Sequence, residues 1–95
     1  MTQRQPLNIG NRIECTITEI KGNCGWGHKV GDKFDVSSHD TAGMCGFFYH
    51  DVFPRIMMLQ FGGSMPWGQP DVMRVECPDR RNCVVAELKR IPNQA

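Results

Sequence analysis

Polar and apolar residues alternate along two stretches of the chain, which predicts two strands that each bury one face of a sheet. Residues 12–20 place Ile13, Cys15 and Ile17 on one side and mostly polar residues on the other. Residues 72–77 repeat this period of two, with apolar residues at the odd-numbered positions. Together with the β-branched residues, the pattern indicates strands whose second face meets solvent.

Two further strands are predicted where shorter apolar stretches stand beside turn residues. Residues 33–36 follow a loop rich in glycine, and residues 83–91 follow the turn 78–82. A connection as short as this turn joins antiparallel neighbours. The last two strands are therefore expected to form a hairpin.

The helical part of the pattern lies at residues 44–61, where a proline interrupts it. Pro54 has no backbone N–H and is best tolerated as the first residue of a helix. We therefore predict a short turn over 45–52, followed by a helix from Pro54 to Phe61. The element order is β-β-α-β-β, an α+β fold in which a small antiparallel sheet packs against one broken helix.

The length of 95 residues suits one small domain. We assign that domain to residues 12–91, with a flexible N-terminal arm at 1–11 and a C-terminal tail at 92–95. Lys and Arg number 11 and Asp and Glu number 10, so the formal net charge is +1. So small a charge supplies no field for nucleic acid or an acidic membrane, and neither partner is expected.

The distribution of apolar residues bears on location and assembly. The longest aliphatic run, 56–59, is far shorter than a membrane span, and residues 1–12 lack the apolar core of a secretory signal. A cytoplasmic location is therefore expected. Aromatic residues concentrate in 44–67, and one helix with a thin sheet leaves part of them uncovered, so we expect a homo-oligomer. A further interpretation is an accessory subunit that docks a partner through the region Phe61–Trp67.

Cysteine and histidine supply the chemistry that stands out. The chain has five cysteines, an odd number that cannot pair fully within one chain, and none of them forms a Cys-x-x-Cys motif. A Cys-x3-His spacing, as in Cys24 and His28, places a thiolate and an imidazole on one metal ion. We predict that these two residues, with Cys45 and Cys77, hold one zinc or iron ion. Four ligands would make the ion structural, whereas an open position would make it a Lewis acid.

A metal-free enzyme is the alternative function. Cys45 lies at the predicted start of the helical stretch, where the helix dipole favours a thiolate, and His28 or His50 is available as its acid–base partner. On an intact helix Cys45 and His50 are about 140° apart, at ~100° per residue, so they face one site only if the helix breaks. The loop 62–67 would then cover a small-molecule substrate. The aromatic residues expected to contact that substrate are Trp67, Trp26 and Tyr49.

The glycine-rich segment, two of the cysteines and a basic cluster are interpreted as structural features with no catalytic or binding role. The glycine-rich segment 22–31 lacks both the dinucleotide fingerprint and the phosphate loop, so no nucleotide cofactor is expected. Cys15 and Cys83 are interpreted as packing residues. The last hairpin carries a small basic cluster that we interpret as solvated surface. This cluster consists of Arg80, Arg81, Lys89 and Arg90.

Four short motifs follow one another between residues 12 and 91. They are Gly22-x-Cys24-x-x-Gly27-His28-Lys29-x-Gly31-Asp32, Cys45-Gly46-Phe47-x-Tyr49-His50, Gly62-Gly63-x-x-Pro66-Trp67 and Cys77-Pro78-Asp79. In this order they resemble the motifs of a family of small prokaryotic single-domain proteins of unknown function. The resemblance implies a stand-alone domain and supplies no activity. All four candidate metal ligands lie within the motifs, whereas Cys15 and Cys83 lie outside them.

Overall fold

Four strands and one helix follow one another in the computed structural model of the chain, which describes residues 9–91. They are β1 (Arg12–Ile20), β2 (Lys33–Val36), α1 (Gly46–Gln60), β3 (Val72–Glu76) and β4 (Val84–Ile91). The strands form one antiparallel sheet in the order β2-β1-β4-β3. The predicted α+β class and the element order β-β-α-β-β are therefore confirmed.

The alternation of β1 decides which face of the sheet is buried. Cys15 lies opposite Phe34 of β2 on one side and Leu88 of β4 on the other, so the three side chains share the face that α1 covers. The opposite face carries cross-strand ion pairs such as Arg12–Asp35 at 3.3 Å. These pairs are exposed, and each contributes about 0–1 kcal/mol.

The hydrophobic core lies between α1 and this face of the sheet. Its buried members come from every element and from the loops beside α1 and β3. They are Ile13, Cys15, Ile17, Val36, Met44, Phe48, Val52, Ile56, Leu59, Val75, Cys77, Val84, Ala86 and Leu88. Burial of apolar side chains at about 1.5–3 kcal/mol each is the main force that fixes the helix on the sheet.

The helix is continuous, and the prediction that it breaks before Pro54 is wrong. α1 runs over 15 residues from Gly46 to Gln60 with Pro54 inside it. An interior proline costs a helix about 3 kcal/mol, but burial of one apolar face outweighs that loss, since each apolar side chain contributes about 1.5–3 kcal/mol. The ring of Pro54 lies on the exposed face, away from the core. The apolar residues of the buried face are Phe48, Val52, Ile56 and Leu59.

A buried glutamine ties the start of the described chain to the end of α1. The amide of Gln60 donates to the Ile9 carbonyl at 2.8 Å and accepts from the Ser38 N–H at 2.8 Å. The main-chain N–H of Asn11 also donates to the Gln60 carbonyl, at 2.8 Å. Residues 9–11 are thus hydrogen-bonded to the domain. The rest of the predicted arm and the tail at 92–95 lie outside the described residues.

Arg90 departs from the solvated surface that the sequence indicates. Its side chain is only 10% exposed and pairs with Asp71 at 2.8 Å. The guanidinium also donates to the carbonyls of Gly63 at 2.6 Å and Leu59 at 3.2 Å. Arg90 therefore stabilises the carboxyl end of α1 and holds the loop that leads into β3.

Within residues 9–91, no helix has the length and apolarity that crossing a bilayer requires.

Candidate functional site

The three predicted ligand cysteines lie in one neighbourhood, and each comes from a different connection between elements. Cys24 lies in the loop after β1, Cys45 is the N-cap of α1, and Cys77 follows β3 directly. Cys77 belongs to the buried core. Cys24 and Cys45 are partly buried and pack against that core. Burial raises the pKa of the Cys77 thiol, a main-chain hydrogen bond from Asp79 opposes this, and negative charge on Cys45 and Cys24 raises it further. Cys45 and Cys24 therefore lie close enough to Cys77 to act on its thiol electrostatically.

Asn82 fastens the loop of Cys24 to the turn that follows Cys77. Its main-chain carbonyl accepts from the N–H groups of Lys21 and Gly22, both at 3.0 Å. Its side-chain oxygen accepts from the Asn23 N–H at 3.2 Å. A Cβ at Gly22 would collide with the side-chain oxygen of Asn82, so a larger residue here would displace that oxygen from the Asn23 N–H. Through these contacts two loops that are distant in sequence lie side by side.

The turn itself is built around Asp79. Its carboxylate accepts from the Asn82 side-chain amide at 2.8 Å and from the Arg81 N–H at 3.1 Å. These bonds, that of Asn82 first, lower the pKa of Asp79. The Cys77 N–H donates to the Val84 carbonyl at 2.8 Å, which closes the hairpin. Sequence reasoning missed the roles of Asp79 and Asn82, although an aspartate after proline at the start of a turn is a known signal for such a structure.

His28 is buried beside Cys45 and caps the helix. Its Nε2 accepts a hydrogen bond from the main-chain N–H of Cys45 at 3.0 Å. This N–H is one of the donors at a helix start that have no partner within the helix. The imidazole also meets the ring of Phe34 edge-on, with 4.9 Å between the centroids. A neutral imidazole has one acceptor nitrogen, so this bond assigns the proton to Nδ1.

The buried position of His28 predicts a pH dependence of stability. Burial lowers the pKa of His28, and the charge of Asp32 opposes this. The unfolded chain therefore binds a proton near pH ~6.5 more readily than the folded chain. In the metal-free protein, the free energy of unfolding is expected to fall as the pH drops from about 7 to 5. Urea denaturation of wild type and His28→Gln measures this, since glutamine does not titrate. Equal slopes in the two proteins would contradict the assignment.

The side chains are not arranged as a ready-made cage. Among residues 9–91, no group of three or more His, Cys, Asp or Glu side chains is arranged so that it holds a metal ion as it stands. The Nε2 atom of His28 is engaged by the Cys45 N–H at 3.0 Å. Ligation by these residues therefore requires a rearrangement of the site, and ligation by the Nε2 of His28 requires this hydrogen bond to be exchanged for the ion.

The residues of the alternative catalytic pair are placed on the same helix. Cys45 is the N-cap of α1, and its thiol makes no capping hydrogen bond. His50 lies on the exposed side of α1. In the part of the chain that the structure describes, no hydrogen bond joins His50 to Cys45. His28 is bonded to the main-chain N–H of Cys45 and not to its thiol. The continuous helix therefore keeps Cys45 and His50 in the separated directions expected for an intact one.

The three aromatic residues proposed to contact a substrate lie on different elements. Trp26, next to Cys24, is 62% exposed and donates from its indole to the Gly43 carbonyl at 3.2 Å. Tyr49 is half-buried on α1, and its hydroxyl donates to the Ser37 carbonyl at 2.6 Å. Trp67 is 70% exposed in the loop between α1 and β3. The indole faces of Trp26 and Trp67 therefore remain accessible to a ligand.

The remaining cysteines have local structural roles. Cys15 is fully buried, and burial raises the pKa of its thiol to about 12. The thiol of Cys83 donates to the Arg80 carbonyl at 2.7 Å within the turn after β3.

Comparisons with protein-family models, with curated proteins and with solved structures found no match to this chain.

Proposed function

We propose that the chain binds one zinc or iron ion through the thiolates of Cys24, Cys45 and Cys77, with His28 as the fourth ligand. The observation that carries the proposal is that three thiols from three separate connections lie in or against the same core, where Cys45 and Cys24 act electrostatically on Cys77. Charge on Cys45 and Cys24 disfavours charge on Cys77, so the metal-free cluster does not hold three thiolates at low cost. A divalent cation removes this repulsion and favours the deprotonated thiols.

The donor set fits a borderline or soft transition metal. Thiolates and imidazole are the ligands that zinc and iron prefer, and carboxylate-loving cations such as magnesium are disfavoured. The thiol carriers are a loop, an N-cap and the residue after a strand, so rotation of their side chains leaves the sheet ladder intact. If His28 keeps its bond to the Cys45 N–H, three thiolates hold the ion and a fourth position is open to water or substrate.

Metal content of serine variants tests the proposal. Wild-type protein purified without added metal is expected to contain about one ion per chain, while Cys24→Ser, Cys45→Ser and Cys77→Ser each lose most of it. Cys83→Ser is the matched control, because its thiol bonds to Arg80 within a neighbouring turn. Inductively coupled plasma mass spectrometry measures the stoichiometry. No metal in wild type, or equal loss in the Cys83 control, would exclude the site.

Two substitutions at His28 separate ligand from cap. Glutamine keeps an acceptor for the Cys45 N–H but is a poor metal ligand, whereas alanine removes both properties. A ligating His28 predicts reduced metal affinity in both variants. A His28 that only caps the helix predicts that His28→Gln retains the ion.

The proposal also implies a compartment. Thiolate ligation needs reduced cysteines, and the cytoplasm keeps thiols reduced. We therefore place the function in the cytoplasm. The metal-free alternative, a reactive Cys45 thiolate at the start of α1, is favoured instead if wild type lacks metal and Cys45 is alkylated faster than the buried Cys15.

A further inference from the structure

The β3 edge of the sheet has main-chain groups that no strand within residues 9–91 pairs. The Arg90 N–H donates to the Asp71 carbonyl at 2.7 Å, and the Cys77 N–H donates to the Val84 carbonyl at 2.8 Å. In an antiparallel ladder, alternate residues direct their N–H and C=O groups to the same neighbour. The odd-numbered residues of β3 therefore face β4. The even-numbered residues Val72, Arg74 and Glu76 direct their main-chain groups outward.

A groove of about 370 Å³ runs along this edge. Charged residues of both signs line it, from β3, from the turn after β3 and from the exposed side of α1. Its lining residues are Asp51, Arg55, Arg74, Val75, Glu76 and Arg80. Because Asp51 and Arg55 line the same groove as Val75, this turn of α1 stands level with the middle of β3.

We propose that a second copy of this chain pairs with the β3 edge, strand to antiparallel strand, to form a homodimer with one continuous sheet. The two-fold axis passes beside Val75, so that Arg74 lies opposite the partner's Glu76. Both residues direct their main-chain groups outward, and each such pair exchanges two hydrogen bonds. Within the chain, Arg74 pairs with Glu19 at 3.2 Å and Glu76 pairs with Arg80 at 3.3 Å. All of these side chains are exposed, so the opposite charges of a second copy complement this edge.

Charge also selects the register. A shift that centres the axis on Arg74 would place the arginines of the two copies directly opposite each other, which is destabilising. The register centred on Val75 replaces that contact with an arginine–glutamate pair on each side of the axis. The same axis relates the facing turns of the two α1 helices, so that Asp51 approaches the partner's Arg55. The same two-fold axis therefore brings opposite charges together both on the strand and on the helix.

Proline at the open edge tests the pairing without disturbing the monomer. Arg74→Pro removes an N–H that faces away from β4, and an edge strand tolerates proline there. Asp35→Pro is the matched control on the other edge, because Ile17 donates to the Asp32 carbonyl and Asp35 therefore also faces outward from β2. Sedimentation equilibrium measures the mass, and circular dichroism checks the fold. Wild type and Asp35→Pro should be dimers and Arg74→Pro a monomer.

Exchanging the charges tests the register. Arg74→Glu faces the partner's Glu76 and should weaken the dimer by about tenfold to a thousandfold, since two pairs of about 0.4–1 kcal/mol each change from attraction to repulsion. Arg74→Glu combined with Glu76→Arg should restore the wild-type dissociation constant. The proposal is overturned if wild type stays monomeric at every concentration, if Asp35→Pro alone dissociates it, or if the double exchange does not recover dimerisation. Metal content per chain is measured separately and is expected to be unchanged in these variants.

Discussion

Phe48→Ala is expected to lower the free energy of unfolding by about 3–5 kcal/mol. Phe48 is the largest fully buried side chain and lies in the first turns of α1, directly against the sheet. Its removal loses apolar burial and leaves a cavity that the surrounding side chains fill only in part. Since a small domain has about 5–15 kcal/mol of stability in total, a large part of it is lost. Urea denaturation followed by circular dichroism measures the change.

The adjacent residue supplies the control for this prediction. Phe47 is 59% exposed, so Phe47→Ala should change stability by no more than about 0.5 kcal/mol. Similar losses for the two substitutions would mean that α1 does not bury the face described here. A loss of stability in Phe47→Ala alone would mean that the opposite face of α1 packs against the sheet.

Removal of the proposed metal ion is expected to have an effect of similar size. An ion present at ~1,000 times its dissociation constant stabilises the folded state by about 4 kcal/mol. For a chain of this length, a strong chelator should therefore lower Tm by roughly 15–30 °C. Differential scanning calorimetry with and without chelator measures the shift. The protein should remain folded at low temperature without the ion, because most of the core side chains belong to the helix and the sheet and lie outside the site.

Cys77→Ser is the comparison that assigns this shift to the thiol cluster. The chelator should leave its Tm nearly unchanged, since the ion is already absent. Cys83→Ser should respond as wild type does. A chelator effect of the same size in Cys77→Ser would place the ion elsewhere in the chain.

The fold was predictable where one physical signal dominates. Alternation in residues 12–20 and 72–77 identified β1 and β3, because a half-buried strand imposes a period of two on its sequence. Pro54 led to the wrong prediction of a broken helix, since its local cost is visible in the sequence and the burial that offsets it is not. Arg90 was misjudged for the same reason. Its four carbonyl and carboxylate partners lie on segments that only the fold brings together.

The candidate site was predictable by residue type and not by its geometry. Cys24 and Cys45 stood out because loops give cysteines little packing to do, and Cys77 stood out because it ends a strand just before a proline turn. The fastening of their loops by Asn82 depends on main-chain bonds across 59 or more residues of sequence, and a spacing rule does not reveal such bonds. The link from His28 to the main-chain N–H of Cys45 was likewise missed.

X-ray absorption spectroscopy of the purified protein tests the central claim most directly, because it reports the atoms bound to the metal. We expect a zinc or iron edge whose nearest shell is dominated by sulfur, at about 2.3 Å for zinc. The sulfur contribution should be lost with Cys24→Ser, Cys45→Ser or Cys77→Ser and kept with Cys83→Ser. A first shell of oxygen and nitrogen alone in the wild-type protein would contradict the thiolate site.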